Sequence, residues 1–544
     1  MFRSLRRQLT SPSDGALLCA LMLLCLCLFV ASESAWYDDA TTYAADILAG
    51  RLIEPGHLLW RPLGHLVGLV TGAATYSAVL WRLQFLSLFA SVLAAAAMYL
   101  LVVRLYGRPG ALVAATLMAV SNGFWSYAFS GGSYSLSMLF AILALRCAIS
   151  PRGEATRGTT AFAAGALGGL SAATWGIQIL AAPALWLALL LTPARDQSSL
   201  GQQLRNTASL VGGYLLMLVV PLLAAFLIQT RAHGVLFAGT HGQTFNLASW
   251  LASSGHGIPA HYGIAQLLRV IIGWPQSIVS TFDLGSRLRL WRLHETAFPA
   301  SPWLGVLIVL YAALAGAIFA LARSFMGLES RDRGVIVACG AALGINLLFA
   351  ASWQGTDLER YFPSWPYQLL LVALLVKLLV TIHPVRRLAV AAGAALAGTA
   401  VVNWYGTFAP VLSSDSYRQV WLRELRRATS AGDRVILFGQ RTQLIVSPHD
   451  PDLPKIDNVS LEIAQRGEGW RAAELHNIAE TKRHGGRVFL ADTLFGTDSA
   501  PRDGWSFREY PRPSPSELQE VFLPFKSDRV GFVVGTEKIW LGRD

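Results

Sequence analysis

Residues 80–103, LWRLQFLSLFASVLAAAAMYLLVV, contain one charged residue, Arg82, in 24 positions. A helix of that length rises about 36 Å, enough to cross a hydrocarbon layer of about 30 Å. A helix apolar around its whole circumference belongs in a membrane or in a deep core. Windows of similar character run from Ala16 to Ala31, Ala111 to Tyr127, Tyr134 to Ile149, Thr160 to Trp175, Ile177 to Leu191 and Ser209 to Ile228. Four more run from Pro302 to Leu321, Val335 to Ser352, Trp365 to Val380 and Leu388 to Trp404. The chain therefore reads as a polytopic α-helical membrane protein with roughly eleven spans.

Composition supports this and divides the chain. Of 544 residues 53% are apolar and 14% charged, with a mean hydropathy of +0.45; a soluble domain carries about 25% charged residues. Disordered chains, nucleic-acid-binding basic proteins and ordinary cytosolic enzymes are excluded. The charge is unevenly spread. Of 44 basic and 33 acidic residues, 19 of each fall after position 410, leaving 25 basic and 14 acidic residues in the first 410. The expected organisation is a transmembrane domain over 1–410 and a neutral soluble domain over 411–544. The five cysteines all lie in apolar runs, so no disulfide framework or zinc site is readable.

Basic residues mark alternate loops: Arg3, Arg6 and Arg7, then Arg104 and Arg108, Arg152 and Arg157, Arg195 and Arg205, Arg323, Arg331 and Arg333, and Arg386 and Arg387. By the positive-inside rule the amino terminus is cytoplasmic, and an odd number of spans places the tail outside, in a multi-pass inner-membrane topology. Two features compete with parts of this scheme. The first span resembles a signal peptide, with Ser34-Ala35 before Trp36. The stretch from His261 to Ser280 could span, but Arg269 and Pro275 favour a surface-lying or re-entrant helix. The tail reads as α/β: a helix from Tyr417 to Thr429, strands Arg434–Phe438 and Arg487–Asp492, a helix near Ala472–Thr481 and a hairpin through Gly535-Thr536. No phosphate-cradling glycine motif follows either strand.

Topology sorts the 14 carboxylates of the first part. Asp14, Glu154, Asp196, Glu329 and Asp332 face the cytoplasm beside basic loops, where a solvated role is expected. Five of the remaining nine, Glu33, Asp38, Asp39, Asp46 and Glu54, crowd one outer loop, 32–79. Asp38 and Asp39 are adjacent at the bilayer surface, where like charge and partial burial raise a carboxyl pKa and suit a general base. The same residues could instead cap the helix that begins near Ala40. Outward-facing arginines, Arg51, Arg61, Arg82, Arg231, Arg269, Arg287, Arg289, Arg292 and Arg360, match phosphate in shape and charge, or alternatively anionic lipid head groups. Outward histidines, including His57, His65 and His241, show no metal-ligand spacing. The cluster Gly165, Gly168 and Gly169 reads as close helix packing, and the 17 tryptophans read mostly as interfacial anchors.

The order of these features resembles the GT-C class of integral-membrane glycosyltransferases, nearest the protein O-mannosyltransferase-related group of bacterial membrane proteins. The matching stretches are Tyr37-Asp38-Asp39-Ala40-Thr41-Thr42-Tyr43, Gly56-His57-Leu58-Leu59-Trp60 with Leu63-Gly64-His65-Leu66, Trp81-Arg82-Leu83 with Leu86-Ser87-Leu88-Phe89-Ala90, and Phe124-Trp125-Ser126-Tyr127-Ala128 with Tyr134-Ser135-Leu136. They cover about the first 180 residues, and Glu359-Arg360-Tyr361 is a weaker echo. Relatives carry a glutamate two residues before the tyrosine matching Tyr134, where this chain has Gly132, and a histidine where it has Trp175. Both departures bear on donor or acceptor selectivity.

The resemblance implies inverting transfer of a sugar from a polyprenyl-phosphate donor to an acceptor hydroxyl on a protein, lipid or glycan, at the extracytoplasmic face. It assigns the base to Asp39, with Asp38 as the alternate. Donor phosphate falls to Arg287, Arg289, Arg292, Arg360 and Arg82, and sugar or acceptor contacts fall to His57, His65, Trp60, Tyr134 and His241. It names no cofactor and leaves a divalent metal open; the partners are the lipid-linked donor, the acceptor and the bilayer, and no nucleic acid. Loops 32–79 and 230–301 carry the expected site. A lipid-linked-sugar flippase and a non-catalytic envelope-assembly subunit are the alternatives. The lack of an internal repeat and the placing of acids in loops rather than in spans argue against a transporter.

Overall fold

The computed structural model describes residues 12–32, 40–48, 50, 52–54, 56–72, 75–149, 158–191, 200–233, 264–280, 301–352, 358–409, 417–438, 453–459, 462–463, 469–495, 513–534 and 537–543. The chain is a polytopic helical bundle followed by a sheet-containing region. In order, the bundle comprises α1 (Pro12–Ala31), α2 (Ala40–Leu48), α3 (Trp60–Thr71), α4 (Tyr76–Val120), α5 (Asn122–Ala128), α6 (Tyr134–Ala148) and α7 (Gly158–Thr174). A 3₁₀ turn over Gly176–Ala181 runs into α8 (Ala182–Leu191), followed by α9 (Leu200–His233), α10 (Ile264–Gln276), α11 (Ser301–Ser324) and α12 (Ser330–Ser352). A second 3₁₀ segment, Leu358–Ser364, leads into α13 (Trp365–Ile382), and α14 (Val385–Asn403) ends the bundle.

The eleven apolar windows coincide with helical segments to within one residue at their ends, except that Ala111–Tyr127 is broken at Ser121. Seven described segments are long and apolar enough to cross a membrane, and one of them, Ala78–Val120, holds one window and the first part of a second. The other three windows lie in the shorter α6, α7 and α8. The two windows within α4 are separated at Gly107, whose φ of +81° lies in the left-handed region open to glycine. Pro109, which has no backbone N–H to offer, follows at once.

α4 also stops short of its window, at Ser121, where the backbone turns extended. The end of the α10 segment repairs the break. Asn122 and Gly123 donate their backbone N–H groups to the carbonyls of Ile278 (3.0 Å) and Ser277 (2.8 Å). Asn403 donates to the carbonyls of Val120 and Ile278 and accepts from the Ser280 N–H. Irregular backbone at this depth is tolerated because protein groups satisfy it. α10 itself has 13 residues, about 20 Å, too short to cross a bilayer, and Gln276, Ser277 and Ser280 beyond it are buried.

Packing in lipid relies on close approach rather than on hydrophobic drive. α7 lies on α9 through glycines: a Cβ at Gly165 or Gly169 would strike the backbone carbonyls of Leu210 or Tyr214, and one at Gly213 that of Phe162. α1 is part of the same core. Its Cys25 and Phe29 are fully buried, and Trp125 donates to the Leu28 carbonyl.

Two expectations need correction here. Asp14 and Asp332 are not solvated; each is 1% exposed. Asp14 pairs with Arg108, just past the Gly107 kink, and Asp332 accepts from Lys377 Nζ (2.7 Å) and from Arg331, both cations also lying over the Tyr106 ring. Helix ends converging on the kink bring the loop cations inward, and a paired carboxylate can then be buried. Nor are all the tryptophans anchors: Trp60, Trp125, Trp175 and Trp365 are each at most 2% exposed, whereas Trp81 and Trp186 are exposed.

The C-terminal region holds α15 (Tyr417–Ala428), β1 (Arg434–Leu437), β2 (Lys455–Asn458), α16 (Trp470–Arg483), β3 (Val488–Ala491), α17 (Pro515–Phe522), β4 (Lys526–Val534) and β5 (Glu537–Gly542). The sheet order is β2-β1-β3-β5-β4, with β1 parallel to β2 and β3, and β5 antiparallel to β3 and β4. One face packs Trp421, Leu425 and Phe532, and the other packs Ile478, Leu490 and Phe522. The expected strands and helices are present. β2 and α17 escaped the sequence reading: β2 is Lys-Ile-Asp-Asn, without an apolar run, and α17 is announced only by the capping box of Ser514 and Glu517.

Candidate active site

The segment from Ala40 to Thr71 lies against the α5–α6 turn and the start of the 3₁₀ segment after α7. α2 buries Tyr43, Ala44 and Ile47 against Trp60, Tyr76, Val79 and Leu83. It is locked to α3 by Arg61, which is 1% exposed. The Arg61 guanidinium meets Asp46 at 2.7 Å and Glu54 at 2.9 Å, and lies 5.3 Å from the centroid of the Tyr43 ring. One cation is shared by two carboxylates. Arg61 is therefore committed within the protein rather than offered to a phosphate, contrary to its place among the outward arginines.

The turn between α5 and α6 touches the first residue of α2. Gly131 has φ +86°, and a Cβ there would lie 2.8 Å from the Ala40 Cβ and 3.3 Å from Gln84. The Gly131 carbonyl accepts from Trp60 Nε1 at 2.9 Å. His57 Nδ1 and Ser133 Oγ are hydrogen-bonded at 2.7 Å, and the His57 ring lies 5.4 Å from Tyr43 and 6.3 Å from Tyr134. The loop before α3 is stitched to the end of α7: Leu59 N–H donates to the Ala173 carbonyl, and Gly176 N–H donates to the Gly56 carbonyl. Asp38 and Asp39, which directly precede α2 in sequence, lie outside the described residues, as do Arg287, Arg289, Arg292 and His241.

Of the remaining expected site residues, His57, Trp60 and Tyr134 come together around this turn. His65 is half-buried further along α3. Arg82 is half-buried, with its guanidinium over Gly68. Arg360 is buried and ion-paired with Glu359, its carbonyl accepting from Asn346 Nδ2.

The two departures from the family pattern meet at one ring. Tyr134 packs edge-on against Trp175 (5.2 Å between centroids) and lies close to Tyr127 and Phe362. A Cβ on Gly132 would fall 2.6 Å from that ring. A side chain at 132 would displace Tyr134, so Gly132 and Trp175 form one aromatic arrangement.

Sequence reasoning missed several polar residues here. α4 presents Gln84, Ser87 and Ser91, all 2% exposed or less, at i, i+3 and i+7 on one face. Ser87 and Ser91 donate to the Tyr127 and Ala128 carbonyls at the broken end of α5, and Ser91 is bonded to Ser135 at 2.6 Å. Gln84 Nε2 and both amide atoms of Gln178 are buried with no hydrogen-bond partner among the described residues. Three polar residues at helical spacing in an apolar span were a readable signal. Among the described residues, no group of three or more His, Cys, Asp or Glu side chains is arranged to hold a metal ion.

No family model and no curated protein matches the chain. Its fold is similar to several solved structures. The Archaeoglobus fulgidus oligosaccharyltransferase complexed with zinc and sulfate is 14% identical at a TM-score of 0.48, over 92% of this chain and 70% of that one. ArnT from Cupriavidus metallidurans bound to undecaprenyl phosphate is 12% identical at 0.45, over 98% of both chains. AglB from Archaeoglobus fulgidus, in complex with an inhibitory peptide and a dolichol-phosphate, is 13% identical at 0.45, over 98% and 77%. At these values the likeness concerns the course of the chain.

Proposed function

We propose that the protein is an inverting GT-C-type glycosyltransferase that moves a sugar from a polyprenyl-phosphate carrier to an acceptor hydroxyl at the extracytoplasmic face of the membrane. The observation that carries this reading is the convergence on Ala40. The helix that directly follows the Asp38-Asp39 pair meets the Gly131 turn, and beside it stand Trp60, Tyr43, the His57–Ser133 pair and Tyr134. Aromatic faces with hydroxyl and imidazole groups between them suit a sugar, whose C–H faces are apolar and whose rim is polar.

In this reading Asp39 takes the acceptor proton as the acceptor oxygen attacks the anomeric carbon. The glycosidic C–O bond to phosphate breaks, and its electron pair leaves on the polyprenyl phosphate. Cations balance the charge growing on that phosphate; Arg82 is the described side chain suited to this, with Arg287, Arg289 and Arg292 as further candidates. The Arg61 triad holds α2 in place, and so the point where Asp39 joins it. One base and a good leaving group suffice, unlike the two carboxylates of glycoside hydrolysis.

The test is incubation of the purified protein with a panel of polyprenyl-phosphate sugars, reading released polyprenyl phosphate. The wild type consumes one member, and Asp39→Asn, at equal expression, loses at least about a hundredfold, the lower range for a general base. Full activity in Asp39→Asn would remove the base assignment. Vectorial movement of the lipid-linked sugar across sealed vesicles without release would replace transferase by flippase.

A further inference from the structure

We infer that Gln84 is a substrate-binding residue, its amide hydrogen-bonding a sugar hydroxyl at the mouth of the α5–α6 turn; this rests on the transferase reading above. α4 carries a stripe of buried polar residues, Gln84, Ser87 and Ser91. Its lower members, Ser87 and Ser91, are fully used: both donate to carbonyls exposed where α5 ends, and Ser91 is also bonded to Ser135. Gln84, one turn nearer the first loop, is 2% exposed, yet its Nε2 finds no acceptor among the described residues. A buried amide left unpaired is destabilising, so its retention requires an explanation.

Its position supplies one. The Gln84 side chain lies against Gly131, the same residue that abuts Ala40 at the start of α2. Gln84 therefore borders the point where the acidic pair enters the helix. The described groups on this turn are neutral: the Gly131 backbone, which accepts the indole N–H of Trp60, and the hydroxyls of Ser130 and Ser133. The nearby cation Arg61 is held by its two carboxylates. A neutral amide in neutral surroundings beside aromatic rings matches a hydroxyl better than a phosphate, which draws guanidinium or ammonium groups. Were the amide serving only the fold, its Nε2 would have an acceptor, as the two serines below it do.

The test uses the full-length purified protein and the undecaprenyl-phosphate sugar that the wild type consumes. Gln84→Met keeps length and shape but removes both amide groups. We expect KM to rise and kcat/KM to fall about three- to tenfold, the worth of one neutral hydrogen bond, while the melting temperature stays level or rises. Gln84→Glu, which lacks the donor, gives the same direction. A rise in donor KM without acceptor places the hydroxyl on the donor sugar, whereas a rise seen only against a glycan acceptor places it on that acceptor. Wild-type kinetics in both variants would overturn the inference. So would a clear drop in melting temperature, or loss of folded protein in both, because the amide would then be bonded within the chain. Asp39→Asn in the same assay separates the two ideas: an inactive Asp39→Asn beside a wild-type-like Gln84→Met sinks this inference alone, and the reverse pattern sinks the base assignment alone.

Discussion

The two ends of the helical bundle treat buried charge in opposite ways. At the end gathered around the Gly107 kink, Asp14 has Arg108, and Asp332 has both Lys377 and Arg331. Cations match or outnumber acids, so the buried carboxylates there are neutralised, although the Tyr99 and Tyr106 hydroxyls beside them find no hydrogen-bond partner among the described residues. At the end that carries the first loop, Arg61 is shared by Asp46 and Glu54, and the buried amides of Gln84 and Gln178 lack partners among the described residues. A closed charge network fixes helices to each other. A shared cation beside buried amides that lack partners among the described residues fixes a helix next to groups able to meet a substrate. Buried polar groups thus anchor the bundle at one end and shape a site at the other.

The comparison breaks most visibly at Arg61. Arg61→Met should take its cation from the buried Asp46 and the half-buried Glu54, at a cost of about 3 kcal/mol. Thermal unfolding of the detergent-purified protein should show that loss, and sugar transfer should fall with it because α2 is released. A variant as stable as wild type would mean that the triad does not hold the loop.

A third buried carboxyl carries the same logic into the C-terminal region. Glu474 on α16 is fully buried, with Asp457 and Glu462 beside it and Arg434, itself ion-paired to Asp457, partly offsetting them. Burial first, then the neighbouring carboxylates, push its pKa up to about 9. The folded state therefore holds a proton that the unfolded chain releases above its ordinary value of 4.5. Its contribution is complete below pH 4.5 and is lost progressively as pH rises towards 9, on the order of 3 kcal/mol by neutrality. Glu474→Gln should recover most of that at pH 7 and flatten the pH dependence, as read by hydrogen exchange of the β1 and β3 amides. Equal pH slopes in variant and wild type would show that Glu474 ionises freely.

The smallest effect is expected at the closed end. Asp332→Asn removes a carboxylate whose cations retain some access to water, the Lys377 side chain being 28% exposed. A loss of about 1–2 kcal/mol is expected, with kcat and KM for sugar transfer unchanged. A selective loss of transfer would show that the two ends are coupled.

Much of the architecture was legible in the residues. Eleven apolar windows predicted the helices because a bilayer demands about 20 apolar residues per crossing whatever lies beside them. Glycines at 165, 168 and 169 announced their packing because only a missing Cβ allows that approach. The resemblance put His57, Trp60 and Tyr134 in one site, and they meet. Partnership was not legible. Arg61 reads in sequence as a free outward cation, and Asp332 as a solvated loop acid, because burial of a charge depends on which distant residue arrives beside it.

By itself, then, the sequence determined the membrane class, the apolar segments that become helices and the charge-balanced α/β tail, all consequences of local hydropathy and periodicity. Only the tertiary structure decided that Arg61 joins Asp46 to Glu54, that Tyr134 covers Gly132 beside Trp175, and that Gln84 stands against Gly131 with a donor unpaired among the described residues. Apart from Gly132–Tyr134, those contacts cross 7 to 47 positions of chain, and pairwise electrostatics and excluded volume act through space, where sequence separation carries no information.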